Sequence, residues 1–325
     1  MAVFRFAAGS WSAPAILRFG AVNPNGFAVT LSADGNTALV GTDVFQFQNG
    51  SRSAPAGLPT DGVYPPAWTD LSDDGTTAVG AVGPMGPSTG NYVEVWSLKE
   101  GVWQAPTLLS VNPAVSLFGR VAISSNGDTI LASGNDASEH PITHAEIFTA
   151  SGSGWSGPTD LSNGPVPTRS QIDSHGQPVA LSGDGDTAVV GDPARLANGE
   201  FFDGGAEVYQ FNSTSWSQPI GLSLPRAARW ESGAFGTSLA VSNDGSTLVV
   251  GAPGSVKLAD QPLAPNFAGT VAIFNADLST VVATAKATQP YGQNPRSRPG
   301  SNRRTRPSHI RPGRPRPRLP ESPRA

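Results

Sequence analysis

The chain has 325 residues, with 38 Gly, 30 Pro, no Cys and only 14% charged side chains, where an ordinary soluble domain carries about 25%. Without Cys there is no disulfide framework, no zinc–thiolate site and no thiol nucleophile; Gly and Pro recur too often for long helices, and no apolar run reaches the ~18 residues of a membrane helix. The net charge of −4 joins two unlike parts, because residues 1–290 hold 11 basic and 24 acidic side chains, a sum of −13, and residues 291–325 hold 10 Arg and one acid, a sum of +9.

In chain order, Met1–Trp11 shows no basic start followed by an apolar run, so no signal peptide is read there. Val3-Phe-Arg-Phe6 and Trp11-Ser-Ala-Pro14 predict two strands. A phrase then begins to recur: Leu31-Ser-Ala-Asp-Gly35, Leu71-Ser-Asp-Asp-Gly75, Ile123-Ser-Ser-Asn-Gly127, Leu181-Ser-Gly-Asp-Gly185 and Val241-Ser-Asn-Asp-Gly245, with 40, 52, 58 and 60 residues between successive glycines. Each runs on into an apolar stretch such as Thr187-Ala-Val-Val-Gly191. Asp-Gly and Asn-Gly tolerate the positive φ of tight hairpin turns, so each phrase predicts a β-hairpin.

A second phrase follows each hairpin. Aromatic strands stand at Val44-Phe-Gln-Phe47, Val93-Glu-Val-Trp96, Ala145-Glu-Ile-Phe148, Glu207-Val-Tyr-Gln-Phe211 and Val271-Ala-Ile-Phe274, echoing Val3–Phe6. Four strand pairs continue into Trp11-Ser-Ala-Pro14, Trp103-Gln-Ala-Pro106, Trp155-Ser-Gly-Pro158 and Trp216-Ser-Gln-Pro219, and Arg52-Ser-Ala-Pro55 fills the slot once without Trp. Proline cannot donate to a ladder, which marks this fourth strand as an edge. Four antiparallel strands per ~40–60 residues is the size of one propeller blade. The expectation is an all-β propeller over residues 1–288, with five clear repeats and a leading half-blade. Such regularity sets a β-sandwich aside. The chain opens and closes in mid-pattern, which reads as a possible truncation of the N-terminus.

Residues 289–325 hold almost nothing apolar and are expected to be disordered. They read as a basic arm for nucleic acid or, favoured here, as a frame-shifted end, because the bias sets in where a further blade should start. The acidic body argues against nucleic-acid binding by the folded part.

The fullest repeat, Phe235-Gly-Thr-Ser-Leu-Ala-Val-Ser-Asn-Asp-Gly-Ser-Thr-Leu-Val-Val-Gly-Ala-Pro253 followed by Gly269-Thr-Val-Ala-Ile-Phe274, resembles the FG-GAP repeat of integrin α-chain propellers and bacterial repeat proteins. Phe118-Gly119 and Gly191-Asp-Pro193 match in part, and the resemblance covers about residues 1–285. It implies a six- or seven-bladed architecture and an extracellular or cell-envelope interaction scaffold for a protein or glycan ligand. It also raises calcium, for which Asp184 and Asp186 come nearest. Calcium wants six to eight oxygens from several groups, so these two side chains read as turn chemistry and no cofactor is expected.

Candidate chemistry is sparse. His140 and His144 stand four apart, a spacing that binds zinc on a helix, but Pro141 and the β context make them a polar blade loop. No Gly-x-Ser-x-Gly elbow or phosphate-binding loop is present. The repeated Trp slot reads as packing rather than sugar stacking. Trp230, beside Arg226 and Arg229 in the segment 225–233, has the composition of a binding hot spot and is the expected ligand contact. The runner-up reading is a hydrolase at the mouth of the central channel.

Overall fold

The computed structural model describes residues 2–7, 9–13, 15–16, 28–48, 51–60, 66, 68–83, 91–113, 115–116, 120–136, 143–152, 154–161, 177–193, 196–197, 201–202, 204–223, 234–256, 268–275, 277 and 281–286. All regular structure among them is β. Among the described residues no helix is long and apolar enough to cross a membrane.

The chain opens with four short strands, β1 (Ala2–Val3), β2 (Phe6–Ala7), β3 (Ser10–Trp11) and β4 (Ala15–Ile16), in which β2 pairs β3 and β1 pairs β4. Five blades follow. Blade 1 is β5 (Val29–Leu31), β6 (Thr37–Val40), β7 (Asp43–Gln48), β8 (Ser51–Arg52) and β9 (Ala56–Gly57). Blade 2 is β10 (Trp68–Leu71), β11 (Thr77–Val82), β12 (Tyr92–Lys99), β13 (Val102–Trp103) and β14 (Thr107–Ser110). Blade 3 is β15 (Val115–Ser116), β16 (Val121–Ile123), β17 (Thr129–Asp136), β18 (Thr143–Ser151) and β19 (Gly154–Asp160). Blade 4 is β20 (Val179–Leu181), β21 (Thr187–Asp192), β24 (Gly205–Gln210) and β25 (Ile220–Leu222), with a small hairpin β22 (Leu196–Ala197) and β23 (Phe201–Phe202) between its second and third strands. Blade 5 is β26 (Ser238–Val241), β27 (Thr247–Val256), β28 (Ala268–Asn275) and β29 (Val281–Lys286). Every pairing within the blades is antiparallel between neighbours in the order first, second, third, fourth strand.

The sequence reading holds for the half-blade and the five repeats. The pairing Phe6 with Trp11 and Val3 with Ala15 repeats that of Phe47 with Arg52 and Val44 with Ala56, so the opening unit is the third and fourth strands of a blade. A six- or seven-bladed ring does not appear: the described residues build five full blades. The tail, 289–325, lies outside the described residues.

The recurring turn works through its serine and its acid. In blade 2, Ser72 Oγ donates to Asp74 Oδ1 (2.6 Å), that oxygen accepts the Thr76 N–H (2.9 Å), and the Thr77 N–H donates to Ser72 Oγ (3.0 Å). Blade 3 uses Asn126 in the same place. The turns are also chained to one another by backbone bonds from Ala33 N to Asp73 O, Asp73 N to Ser125 O, Ser125 N to Gly183 O and Asp184 N to Asn243 O, at 2.8–3.1 Å. First strands of successive blades, β5, β10, β16, β20 and β26, are neighbours in that order. This is the radial arrangement of a propeller, which leaves only short edges exposed.

In the half-blade and in blades 1, 2 and 4 the fourth strand breaks where the sequence places Pro, and in blade 3 β19 runs through Pro158 with a register shift. Third-strand amides that lose a partner there are met by the serine two positions before: Arg5, Gln46 and Gln210 each donate to Ser12, Ser53 and Ser217 Oγ at 3.0 Å. Trp103, Trp155 and Trp216 are half-buried against blade cores, as the packing reading expects. Trp68 is also half-buried, beneath the Arg120 guanidinium at 4.3 Å.

One apolar cluster fills each junction. Leu39 and Val44 of blade 1 meet Leu71 and Trp96 of blade 2, and Val79 and Val95 of blade 2 meet Ile130 and Phe148 of blade 3. Leu131 and Ile147 then meet Tyr209, and Val208 meets Phe274. Burying one such side chain contributes about 1.5–3 kcal/mol. At the blade 4–blade 5 junction the backbones themselves touch. Gly236, at φ +95°, lies so close to blade 4 that a Cβ on it would overlap Gly205 O and stand 3.1 Å from Asp192 N. Phe235 beside it is fully buried, edge-on to Phe274. The Phe-Gly dipeptide thus supplies one large apolar wedge and one site of backbone contact.

Candidate functional site between blades 2 and 3

Third strands carry a feature that the sequence reading passed over. By register, Asp43, Glu94, Glu146, Glu207 and Ala272 are equivalent, lying opposite Val40, Gly80, Ala132, Val190 and Val250. Each precedes by two the aromatic residue that faces the preceding blade. Side chains two apart share a strand face, so these acids point into the crevices between blades. The signal was present as an acid, an aliphatic residue and an aromatic recurring in four copies.

Blade 3 adds two titratable groups to its copy. His144, Glu146 and Phe148 alternate along one face of β18, and Asp160 of β19 lies opposite Glu146. His144 Nδ1 and Asp160 Oδ2 are 2.9 Å apart. Glu146 is fully buried. Its Oε1 accepts the Asn112 N–H at 3.0 Å from the connection between β14 and β15, and its Oε2 has no hydrogen-bond partner. Burial pushes the Glu146 carboxyl above its ordinary value, against the pull of the Asn112 bond; the nearby Asp160 charge adds to the rise and His144 opposes it.

Further along the crevice lies a groove of roughly 530 Å³ between β14 and β19, whose walls include Leu108, Leu109, Asn112, Phe148, Trp155 and Pro158. Among the described residues no charged side chain lines it. That volume falls within the range of small-ligand sites. The arrangement offers an apolar, partly aromatic wall beside a His–Asp pair and a buried carboxyl.

Of the residues expected to carry function, Trp230, Arg226, Arg229 and His140 lie outside the described residues. His144 stands on a strand, not a helix, paired with Asp160. Asp184 and Asp186 stand in the blade 4 turn, where Asp184 Oδ1 accepts from Ser182 Oγ and from the Asp186 N–H. Burial, then the Asp184 charge, pushes the Asp186 carboxyl up. Among the described residues no three His, Asp or Glu are grouped to hold a metal ion. Toward the channel, Asp70 Oδ1 accepts from Thr30 Oγ1 and Oδ2 from the Ile123 N–H, both at 3.0 Å. One carboxylate thereby ties three blades, and burial raises its pKa.

Sheet order and blade stacking define a β-propeller. No family model matches the chain, and no curated protein matches it. Solved structures similar to it include a periplasmic gluconolactonase of Pseudomonas aeruginosa, at 16% identity and TM-score 0.49 over 89% of this chain and 93% of that one. A protein described as TolB from Agrobacterium tumefaciens gives 13% and 0.46 over 80% and 79%. Hydrazine synthase of Kuenenia stuttgartiensis gives 14% and 0.46 over 85% and 70%. At these values the likenesses carry no inference about activity.

Proposed function

We propose that the chain is a non-catalytic propeller of FG-GAP type that binds a protein or glycan ligand at the cell surface or outside the cell, with the blade 2–blade 3 crevice as a contact site. The observation that carries this reading is the uncharged groove walled by Trp155, Phe148 and Leu109. Ligand sites are concave and mostly apolar, with a few polar groups at one end, and Asn112 stands in that place. The turn acids support it from the other side, because their oxygens are engaged in holding hairpins. The test is a panel of immobilised glycans and peptides read with the wild type, Trp155→Ala and Trp230→Ala. Trp155→Ala is expected to weaken the selected ligand at least about tenfold. Loss confined to Trp230→Ala would move the site to the segment 225–233.

A hydrolase is the second reading, favoured by the His144–Asp160 pair beside Glu146. An Asp that orients a His is the general-base half of a hydrolytic site. Turnover on an ester or glycan panel that disappears in His144→Ala would install this reading in place of the first.

A further inference from the structure

Fourth strands are the outer edges of the blades, and in blade 2 that edge is open. Among the described strands β14 pairs β12 alone. Amides along an antiparallel strand point alternately to its two sides. In blades 1 and 3 the residue in the place of Leu109 donates inward to the third strand, Leu58 to Thr42 O and Leu161 to Ala145 O, both at 2.8 Å. By the same register Leu109 points in, and the peptide groups of Leu108 and Ser110 point out. In blades 1, 3 and 4 the outer edge is blunted, as native edges usually are. β9 has two residues, β25 has three with Gly221 at its centre, and β19 carries Pro158, which has no N–H to give. β14 has four residues and no charge, and its Leu108 is 48% exposed.

The open edge is also one wall of the groove. Residues 108–113 line the groove without a gap, where a strand face would contribute only every second residue. The backbone itself is therefore presented there, with Phe148, Trp155 and Pro158 across from it. Beyond the strand the Asn112 N–H is taken by Glu146 Oε1 at 3.0 Å, which leaves Leu108 and Ser110 to offer theirs. We propose that an extended segment of a partner protein lies in the groove as a strand added to β14. This rests on the crevice being the contact site and chooses a protein ligand over a glycan. Outward peptide groups two residues apart, roughly 7 Å along the strand, match the repeat of another extended backbone. Main-chain bonds then supply affinity, and the uncharged wall selects apolar side chains at alternate positions. A second copy of this chain does not fit, because its strands are locked into blades and the groove is a slot between two of them.

The test uses peptides selected from a random linear library on the immobilised full chain. Their binding to wild type is read by fluorescence polarisation, with one peptide amide N-methylated at a time. An added strand gives a period of two: methylation at alternate positions weakens binding at least about tenfold, and at the positions between changes it little. Ser110→Pro removes an outward N–H and keeps the inward ladder to β12, as proline does on an edge. It is expected to weaken the same peptides about tenfold or more, with the fold intact by circular dichroism. Peptides that lose affinity in Trp155→Ala, yet show no period of two and bind Ser110→Pro as wild type, would overturn the added strand and leave the crevice as the contact site. Peptides indifferent to both substitutions would overturn the crevice with it. Selection of glycans but no peptides, or self-association in sedimentation velocity that Ser110→Pro abolishes, would also overturn the proposal.

Discussion

Gly245 in the blade 5 turn lies against Thr187 of blade 4, so close that a Cβ on the glycine would overlap Thr187 Oγ1 and stand 3.1 Å from its Cβ. The contact recurs at Gly185 and Thr129 (2.7 Å to Oγ1) and at Gly127 and Thr77 (3.0 Å). The Asp-Gly turn is therefore a joint between blades as well as a hairpin. Gly35 adopts a similar φ of +65° but has nothing within 4 Å of a would-be Cβ.

Gly245→Ala should accordingly cost more than Gly35→Ala. Both place a side chain at positive φ, roughly 1 kcal/mol, and Gly245→Ala adds an overlap of about 1–3 kcal/mol. Urea unfolding of the two variants measures the difference; equal losses would contradict the joint.

The hairpins and the blade repeat were legible because Asp-Gly and Asn-Gly turns are local, set by four residues in a row. The His144–Asp160 pair was not. Those residues are 16 apart, and a register shift between Ile147 and Thr149 decides which β19 side chain faces Glu146. The row of third-strand acids was hidden differently. Each copy looked like an ordinary polar residue on a half-exposed strand, and only stacking turns that face into a buried one. The packing reading of the Trp slot holds for Trp103, Trp155 and Trp216 but not for Trp11, which is 68% exposed.

Ser182→Ala should be more damaging than its half-buried counterpart Ser217→Ala. Ser182 is fully buried, donates to Asp184 and accepts the Thr187 N–H at 2.9 Å. Alanine leaves that buried N–H without its partner, about 1–3 kcal/mol. Ser217 accepts the Gln210 N–H in a part-buried position, where water reaches the freed N–H more readily and the loss is expected to be about 1 kcal/mol. Thermal melts of the two variants give the ranking.

Acid should loosen the turns. Bonds from Ser242 Oγ, then from the Ser246 N–H and hydroxyl, hold the Asp244 carboxyl at about 2, below its ordinary 3.8. Ser32 and Asn36 lower Asp34 in the same way. A carboxyl depressed in the folded state contributes stability above its unfolded value, and that contribution is lost as pH falls through the folded one. The melting temperature should thus drop between 3.8 and about 2. Asp244→Asn, which copies Asn126, should make the drop shallower. An unchanged acid limb would contradict the assignment.

Glu146 should act with the opposite sign. Its carboxyl is raised above 4.5, first by burial, so its contribution is full below that value and declines as pH rises through the folded pKa. Glu146→Gln keeps the acceptor for Asn112 without the charge. The melting temperature of Glu146→Gln relative to wild type should therefore improve from pH 5 to pH 8. A difference independent of pH would show that Glu146 does not titrate in this range.

The crevice depends on consecutive blades lying face to face. A double-mutant cycle on Gly245→Ala and Thr187→Ala tests that arrangement most directly. Trimming Thr187 removes the atom that the new Cβ would overlap, so the double variant should be more stable than the sum of the single losses predicts, by about 0.5–3 kcal/mol. Strict additivity would mean that these two residues, 58 positions apart, do not touch, and would contradict the stacking of blade 5 on blade 4.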